Sequence, residues 1–300
     1  MFSRILGIIL PVFAVVIAGY AYGRIARPSM AGANKANMDV FCPVLIFVAL
    51  SSKDFDLAAN GLLALIAASI VLISGLVAWP FARLLHGDPR TFVPPMMFNN
   101  CGNMGVPLAV LAAGQQGLGM MVILFTTSNL LHFTVGTWIV RHEVGWRDVL
   151  LNPMVVATIA GAAAGLLHPA MPQWVDISLK MIGDIAFPLM LFALGVRLCD
   201  VSFEHWEVGL VGAIVCPLTG LLAAALALWL IPLSPMQQGM VWVFASLPPA
   251  VLNFLIADRY HQEPAKVAAI VLIGNLGSVL FVPLGLILAL RQFLPPRERR

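Results

Sequence analysis

Apolar residues run along this chain in ten long blocks, at about 5–25, 37–52, 58–85, 92–114, 118–140, 150–168, 174–197, 208–231, 236–257 and 265–290. An α-helix needs about 20 apolar residues to cross the hydrocarbon core of a bilayer, so the pattern predicts ten transmembrane helices. Polar connections are short, and the longest, Arg141 to Asp148, lies midway along the chain. Trp79, Trp138, Trp146, Trp174, Trp206 and Trp229 fall near block ends, where aromatic belts form. Two blocks break the apolar pattern. Phe98-Asn99-Asn100-Cys101-Gly102-Asn103-Met104-Gly105-Val106-Pro107 interrupts the fourth, and Phe244-Ala245-Ser246-Leu247-Pro248-Pro249-Ala250-Val251-Leu252-Asn253 the ninth. Gly and Pro weaken or break the helical ladder, the two prolines push Leu247 out of the α region, and an unpaired amide is costly in hydrocarbon. Non-helical backbone at membrane depth survives only where protein buries it or water reaches it. Each break is therefore a candidate binding site.

The order of the blocks repeats. Pro11-x5-Ile17-Ala18-Gly19-x-Ala21-x-Gly23 in block one returns as Pro153-x5-Ile159-Ala160-Gly161-x-Ala163-x-Gly165 in block six. Lys35-x3-Asp39-x3-Pro43-x3-Phe47 in block two returns as Lys180-x3-Asp184-x3-Pro188-x3-Phe192 in block seven. Matching Lys, Asp, Pro and Phe in order is hard to obtain by chance. The chain reads as two homologous halves, 1–145 and 146–300, of five spans each. An odd number of spans forces the second half to enter the membrane in the opposite orientation, which is the inverted-topology repeat of many secondary transporters. The fold class expected is thus an all-α polytopic membrane protein of ten transmembrane helices, two inverted five-helix repeats with helices four and nine broken. The echo of block one in mid-chain also implies that the first block, which could pass for a signal peptide, is retained.

Composition agrees. The chain is 60% hydrophobic and 10% charged, against about 25% charged in soluble domains. The net charge of +3 forms no basic stripe with interleaved aromatics, so no nucleic acid is expected as a partner. Cys42, Cys101, Cys199 and Cys216 show no metal-binding spacing and read as small buried hydrophobes; no metal or cofactor is expected. Arg24, Arg27, Lys35, Arg83, Arg90, Arg141, Arg147, Arg197, Arg259 and Lys266 share one side, with Arg4, Lys53 and Lys180 on the other. The positive-inside rule then makes the middle loop cytoplasmic and leaves both termini outside, although Arg291, Arg297, Arg299 and Arg300 pull against this.

Interrupted helices at equivalent places in inverted repeats point to a transporter's substrate site. Half-helix N-termini offer unpaired N–H groups and the positive end of the dipole to an anion, and Asn side chains add neutral donors. The alternative is that these residues only kink helices, with their amides satisfied between neighbours. Lys35/Asp39 and Lys180/Asp184 are spaced to meet on one helix face. They are either self-neutralising pairs at the interface or aspartates that take up a coupling proton. His132 is intramembrane, as a structural or path-lining side chain, whereas His86, His142, His168, His205 and His261 lie at block ends or in loops.

Asn100-x-Gly102-Asn103-x-Gly105-x-Pro107-Leu108 resembles the fourth-helix motif of the auxin efflux carrier family. So does Leu247-Pro248-Pro249-Ala250-Val251-x-Asn253, followed by Ala257-Asp258-Arg259-Tyr260 and Ala268-Ala269-Ile270-Val271-Leu272. The resemblance covers essentially the whole chain, and the short central loop is similar to that of bacterial members. It implies a scaffold of helices one, two, six and seven, a transport domain of helices three to five and eight to ten, and broken helices four and nine crossing at the site. It further implies elevator-type movement, and organic anions such as malonate, malate or auxin-like acids as substrates. The bacterial cytoplasmic membrane is the implied location, and a homodimer is one oligomeric option. The substrate shell would include Asn100, Asn103 and Asn253, near Pro107, Pro248 and Pro249; Asn99, Ser246 and Asn275 are added from the reading of the residues. Alternatives are a sodium-coupled carrier like the related bile acid symporters, an intramembrane enzyme, or a sensor. No HExxH, GxSxG or paired-aspartate motif supports an enzyme.

Overall fold

A computed structural model describes residues 2–52, 56–84, 87–167, 171–200 and 204–293. Lys53, His86, His168, Arg297, Arg299 and Arg300 lie outside the described residues. The elements are all helical: α1 (Phe2–Ala26), α2 (Ala31–Ala36), α3 (Cys42–Ser51), α4 (Leu57–Asn60), α5 (Leu62–Leu84), α6 (Pro89–Met97), α7 (Val106–Leu131) and α8 (Thr137–Arg141). They continue as α9 (Trp146–Leu150), α10 (Pro153–Leu167), α11 (Gln173–Gly183), α12 (Ala186–Arg197), α13 (Trp206–Leu230), α14 (Pro235–Ala245), α15 (Val251–Arg259) and α16 (Pro264–Phe293). Among the described residues, seven helical runs are long and apolar enough to cross a membrane. Helix α10 is apolar but shorter, and α6, α14 and α15 are short because the chain breaks beside them.

The two broken stretches begin with side-chain caps. Asp88 accepts from the Arg90 N–H at 2.8 Å ahead of α6. Ser234 and Gln237 form a reciprocal capping box ahead of α14, satisfying two otherwise orphaned donors. Between blocks four and five the sequence places a short connection at 115–117; instead the chain turns at Gly114 alone, with φ 61° and ψ −145°.

Packing divides the helices into two groups. Helix α1 lies along α12, and α3 lies against α10 and α11; α13 packs on α5 and α16, α14 on α16, and α5 on α6 and α7. Within the first group the repeated residues meet one another. A Cβ on Gly19 would stand 2.1 Å from the Phe192 carbonyl oxygen, and one on Gly161 would stand 3.0 Å from the Cα of Phe47. Only glycine permits this backbone approach, as at other membrane helix interfaces. The six tryptophans at block ends are exposed, whereas the seventh, Trp242, is half-buried. Cys42, Cys101 and Cys216 are buried and Cys199 is half-buried.

Candidate functional site

The two breaks cross as extended backbone. The Asn100 N–H donates to the Pro248 carbonyl at 2.6 Å, and the Ala250 N–H donates to that of Phe98 at 2.9 Å. Asn99 and Pro249 thereby form an antiparallel bridge. Because the prolines bring no N–H, side chains complete the pairing. Asn99 Nδ2 donates to the Phe244 carbonyl at 2.6 Å. Asn253 Nδ2 donates to the carbonyls of Phe98 and Ala250, each at 2.9 Å. Asn275, from α16, donates to the Pro249 and Val271 carbonyls at 3.0 and 2.8 Å and accepts from Asn100 Nδ2 at 2.7 Å. Ser246 is buried and donates to the Val243 carbonyl at 2.9 Å.

A cavity opens beside this crossing, with about 140 Å³ reachable by the centre of a water-sized sphere. One water needs about 10–15 Å³ on that measure, so the space admits a small molecule. Asn99, Asn100, Cys101, Gly102 and Asn103 line it from one break, and Ala250, Val251 and Leu252 from the other. Two helices start here. Among the described residues no acceptor takes the N–H groups of Gly102 and Asn103, or those of Val251 and Leu252, the orphan donors of a helix N-terminus. Four main-chain donors thus border one cavity, beside the positive ends of two dipoles.

Three π-helical turns, Asn37–Phe41, Cys101–Gly105 and His132–Gly136, also reach this cavity. Such bulges recur at functional sites because they re-aim side chains out of helical register. His132 is buried, stacks on Phe98 with ring centroids 4.0 Å apart, and neighbours Asn253. Among the described residues, the Oδ1 atoms of Asn37, Asn99 and Asn253, and His132 Nε2, are buried without a hydrogen-bond partner.

The nine residues named for the substrate shell divide. Asn99, Asn100 and Asn103 line the cavity; Ser246, Pro248, Pro249, Asn253 and Asn275 stand behind it at the crossing, and Pro107 is buried in the first turn of α7. The expectation that the Asn side chains supply donors narrows: Asn253 and Asn275 use both Nδ2 hydrogens on main-chain carbonyls, whereas Asn99 and Asn100 each use one of two. Lys35 and Asp39 form an exposed ion pair at 2.5 Å. Among the described residues Lys180 and Asp184 form no ion pair, although the Asp184 N–H donates to the Lys180 carbonyl at 2.9 Å at the end of α11. None of these four lines the cavity.

Asn34, Asn37, Ser128, Asn129 and Arg197 also line it and were not singled out from sequence. Ser128, Asn129 and His132 share a helical face inside an apolar block, a pattern that would have signalled them. Arg197, the last residue of block seven, closes α12 with its guanidinium 4.8 Å from the centre of the Phe254 ring.

A second polar cluster lies at the edge of the spans, tying the start of α6 to the turn before α16. Thr91 donates to Glu263 at 2.6 Å, and Gln262 donates to Asp88 and Thr91 at 2.9 and 3.0 Å. The Arg90 side chain is the main influence holding the Asp88 carboxyl below its ordinary value. Partial burial pushes Glu263 up, but hydrogen bonds from Lys266 and Thr91 with the Lys266 charge outweigh it and leave the carboxyl lowered.

A family model described as membrane transport protein matches residues 137–286, half of the chain. The chain belongs to the membrane transport protein family. That family includes the auxin efflux carriers, in agreement with the motifs at the two breaks. Over 99% of its own length and 99% of the relative's, this membrane transport protein is 25% identical to a Rhizobium meliloti protein named "Putative malonate transporter". Auxin efflux carrier component 3 of Arabidopsis thaliana is 26% identical over 44% of this chain and 22% of that carrier. The protein is a multi-pass membrane transporter and not an enzyme.

Proposed function

We propose that this protein is a secondary transporter of small carboxylates, working by elevator-type alternating access in a bacterial cytoplasmic membrane. The observation that carries the proposal is the pair of half-helix N-termini, with four open N–H groups bordering one cavity. Main-chain donors bind an anion without a permanent countercharge, so the site can load and release it. The name of the Rhizobium meliloti relative and the auxin carriers agree with a carboxylate as substrate.

In this reading the chain forms ten spans as two inverted repeats. The meeting of Gly19 with Phe192, and of the equivalent Gly161 with Phe47, supports that symmetry. The group of α1, α3 and α10–α12 is the scaffold, and the group of α5–α7 and α13–α16 moves against it carrying the crossing. Loop charges put Arg197, Arg141 and Arg259 on the cytoplasmic side, so the cavity, with Arg197 in its wall, opens inward. Lys35 and Asp39, and Lys180 and Asp184, stay on the scaffold's exposed face. Covering four ionisable side chains at that depth is a role for a second copy of the chain.

A sodium-coupled carrier is the second reading, favoured by the unpartnered Oδ1 atoms of Asn99 and Asn253, which are neutral oxygen ligands of the kind a hard cation takes. The test is a thermal-shift screen of purified protein against mono- and dicarboxylates, followed by flux in proteoliposomes. The expected outcome is stabilisation and saturable flux for at least one carboxylate. Absence of both across the series overturns the proposal, and flux that collapses when potassium replaces sodium selects the second reading.

A further inference from the structure

One face of α1 is uncovered by protein. Leu6, Leu10, Ile17, Tyr20 and Arg24 are all exposed, and their spacing keeps them within a single helical stripe. The span Ser3–Ala26 has 24 residues, about 36 Å of helix, against a hydrocarbon core of about 30 Å. Its last turn, with Arg24, therefore stands at the level of the lipid headgroups. Tyr20 and Tyr22, exposed one turn earlier, are placed as belt aromatics.

The stripe ends in a cavity. Gly23, Arg24, Arg27 and Pro28 line it from the end of α1, and Val196 and Cys199 from the end of α12. Its volume of about 390 Å³ exceeds the 140 Å³ at the crossing, on the same measure. Among the described residues no carboxylate lines it, and Arg24 and Arg27 make no ion pair. Close packing of the two helices makes the floor: a Cβ on Gly23 would stand 2.8 Å from Cys199 Sγ and 3.1 Å from the Val196 Cα. Arg27 has φ 44°, in the left-handed region that after a helix ordinarily falls to Gly or Asn, and Pro28 biases it toward extended backbone instead. Gly would make this turn with less strain, so the turn alone does not call for an arginine.

We infer that the joined ends of α1 and α12 bind an anionic phospholipid, with its phosphate on Arg24 and Arg27 and an acyl chain along the exposed stripe of α1. Guanidinium forks match phosphate oxygens in bidentate geometry, and basic pockets between spans at the membrane edge take lipid headgroups. The stripe favours lipid over free phosphate, because only a lipid joins a phosphate to a chain that covers Tyr20, Ile17 and Leu10 on the same face. None of the six lining residues borders the cavity at the crossing, so the inference stands apart from the identity of the substrate.

Native mass spectrometry of the purified protein in a neutral detergent, with equimolar dioleoyl phosphatidylglycerol and dioleoyl phosphatidylcholine, tests this. Wild type is expected to retain phosphatidylglycerol as its first lipid with a preference of about 10-fold, the scale of two arginines at a charged lipid surface. In Arg24→Gln/Arg27→Gln that preference falls below about 3-fold. Arg83→Gln/Arg147→Gln removes as much charge from exposed positions elsewhere and keeps the preference. Arg27→Gly, suited to the φ of 44°, melts no lower than wild type and still loses the preference, which separates loss of the ligand from loss of the fold. Equal retention of the two lipids by wild type overturns the inference. So does the same loss in both double variants, which marks diffuse charge attraction. Displacement of phosphatidylglycerol by millimolar inorganic phosphate makes this a free-phosphate site and overturns the lipid assignment. A dimer peak that disappears in Arg24→Gln/Arg27→Gln overturns it too, by identifying the occupant as a second copy of the chain.

Discussion

Asn275→Ala is the perturbation that most directly tests whether the crossing is held by side-chain amides. Asn275 is buried and donates to Pro249 while accepting from Asn100. Its removal leaves the Pro249 carbonyl and the Asn100 Nδ2 group without partners in a space no other described donor or acceptor reaches. Each orphaned buried group costs about 1–3 kcal/mol. Interhelical hydrogen bonds in membrane proteins average nearer 0.6 kcal/mol, so the expected loss is about 2–4 kcal/mol. At about 2 °C per kcal/mol for a chain of this size, the melting temperature in detergent drops by roughly 4–8 °C. The assay is tryptophan-fluorescence melting at a fixed scan rate, with a double-mutant cycle against Asn100→Ala. Once Asn100 is gone, the second substitution orphans one group fewer, so the two effects sum to less than additive by about 0.5–2 kcal/mol. A melting temperature within 1 °C of wild type, together with strict additivity, would refute the reasoning.

Asn103, whose side chain lines the cavity with no partner in the crossing, behaves oppositely: Asn103→Ala keeps the wild-type melting temperature and weakens carboxylate binding about 10-fold, measured by calorimetry. Val251→Pro removes one open N–H at the first helical position, where Pro is tolerated. Ala250 already has the extended backbone (φ −69°, ψ 143°) a following Pro requires. The variant folds and loses about 10-fold in affinity. Gly19→Ala pushes a Cβ to 2.1 Å from a backbone oxygen and destabilises by about 1–3 kcal/mol, whereas Gly7→Ala, with open space around it, is neutral or slightly stabilising in the same melt. Asp88 and Glu263 titrate below their ordinary values, so their stabilisation is full above about pH 5 and is lost as pH falls through the lowered folded values. Each contributes under about 1 kcal/mol because both are only half-buried and solvent still screens them, and Asp88→Asn with Glu263→Gln flattens the melting temperature between pH 5 and 3.

The positions of the breaks were legible because Asn, Gly and Pro inside apolar runs have no other stable use at membrane depth. The blocks were legible for the same reason that hydropathy works at all. What the amides do was not legible. Donor and acceptor assignments at Asn99, Asn253 and Asn275 depend on which carbonyls the crossing leaves open, and those carbonyls come from Phe98, Phe244 and Pro249, distant in sequence. The place of Arg197 in the cavity wall was not legible, because charge alone marks a helix end without saying whether that end borders water or a cavity. The Gly114 turn was missed because a single left-handed residue replaces a loop that apolar patterning would place between two blocks.

A broken membrane helix creates its own accounting problem. Pro248 and Pro249 remove two donors at the point where the ends of α6 and α14 present the Phe98 and Phe244 carbonyls. Those carbonyls must be met by protein, since each costs free energy when left bare. Asn is the smallest side chain with two N–H donors and a carbonyl acceptor, so the residues closest to the crossing are Asn, and most of their donors are already occupied. It follows that polarity near the break is a poor guide to substrate contact. The groups left over are main-chain N–H at the half-helix starts, which are invisible as residue types. The side chains that distinguish one anion from another must then come from elements facing the break. Asn37, in the turn after α2, meets that condition, and it does not belong to a broken helix.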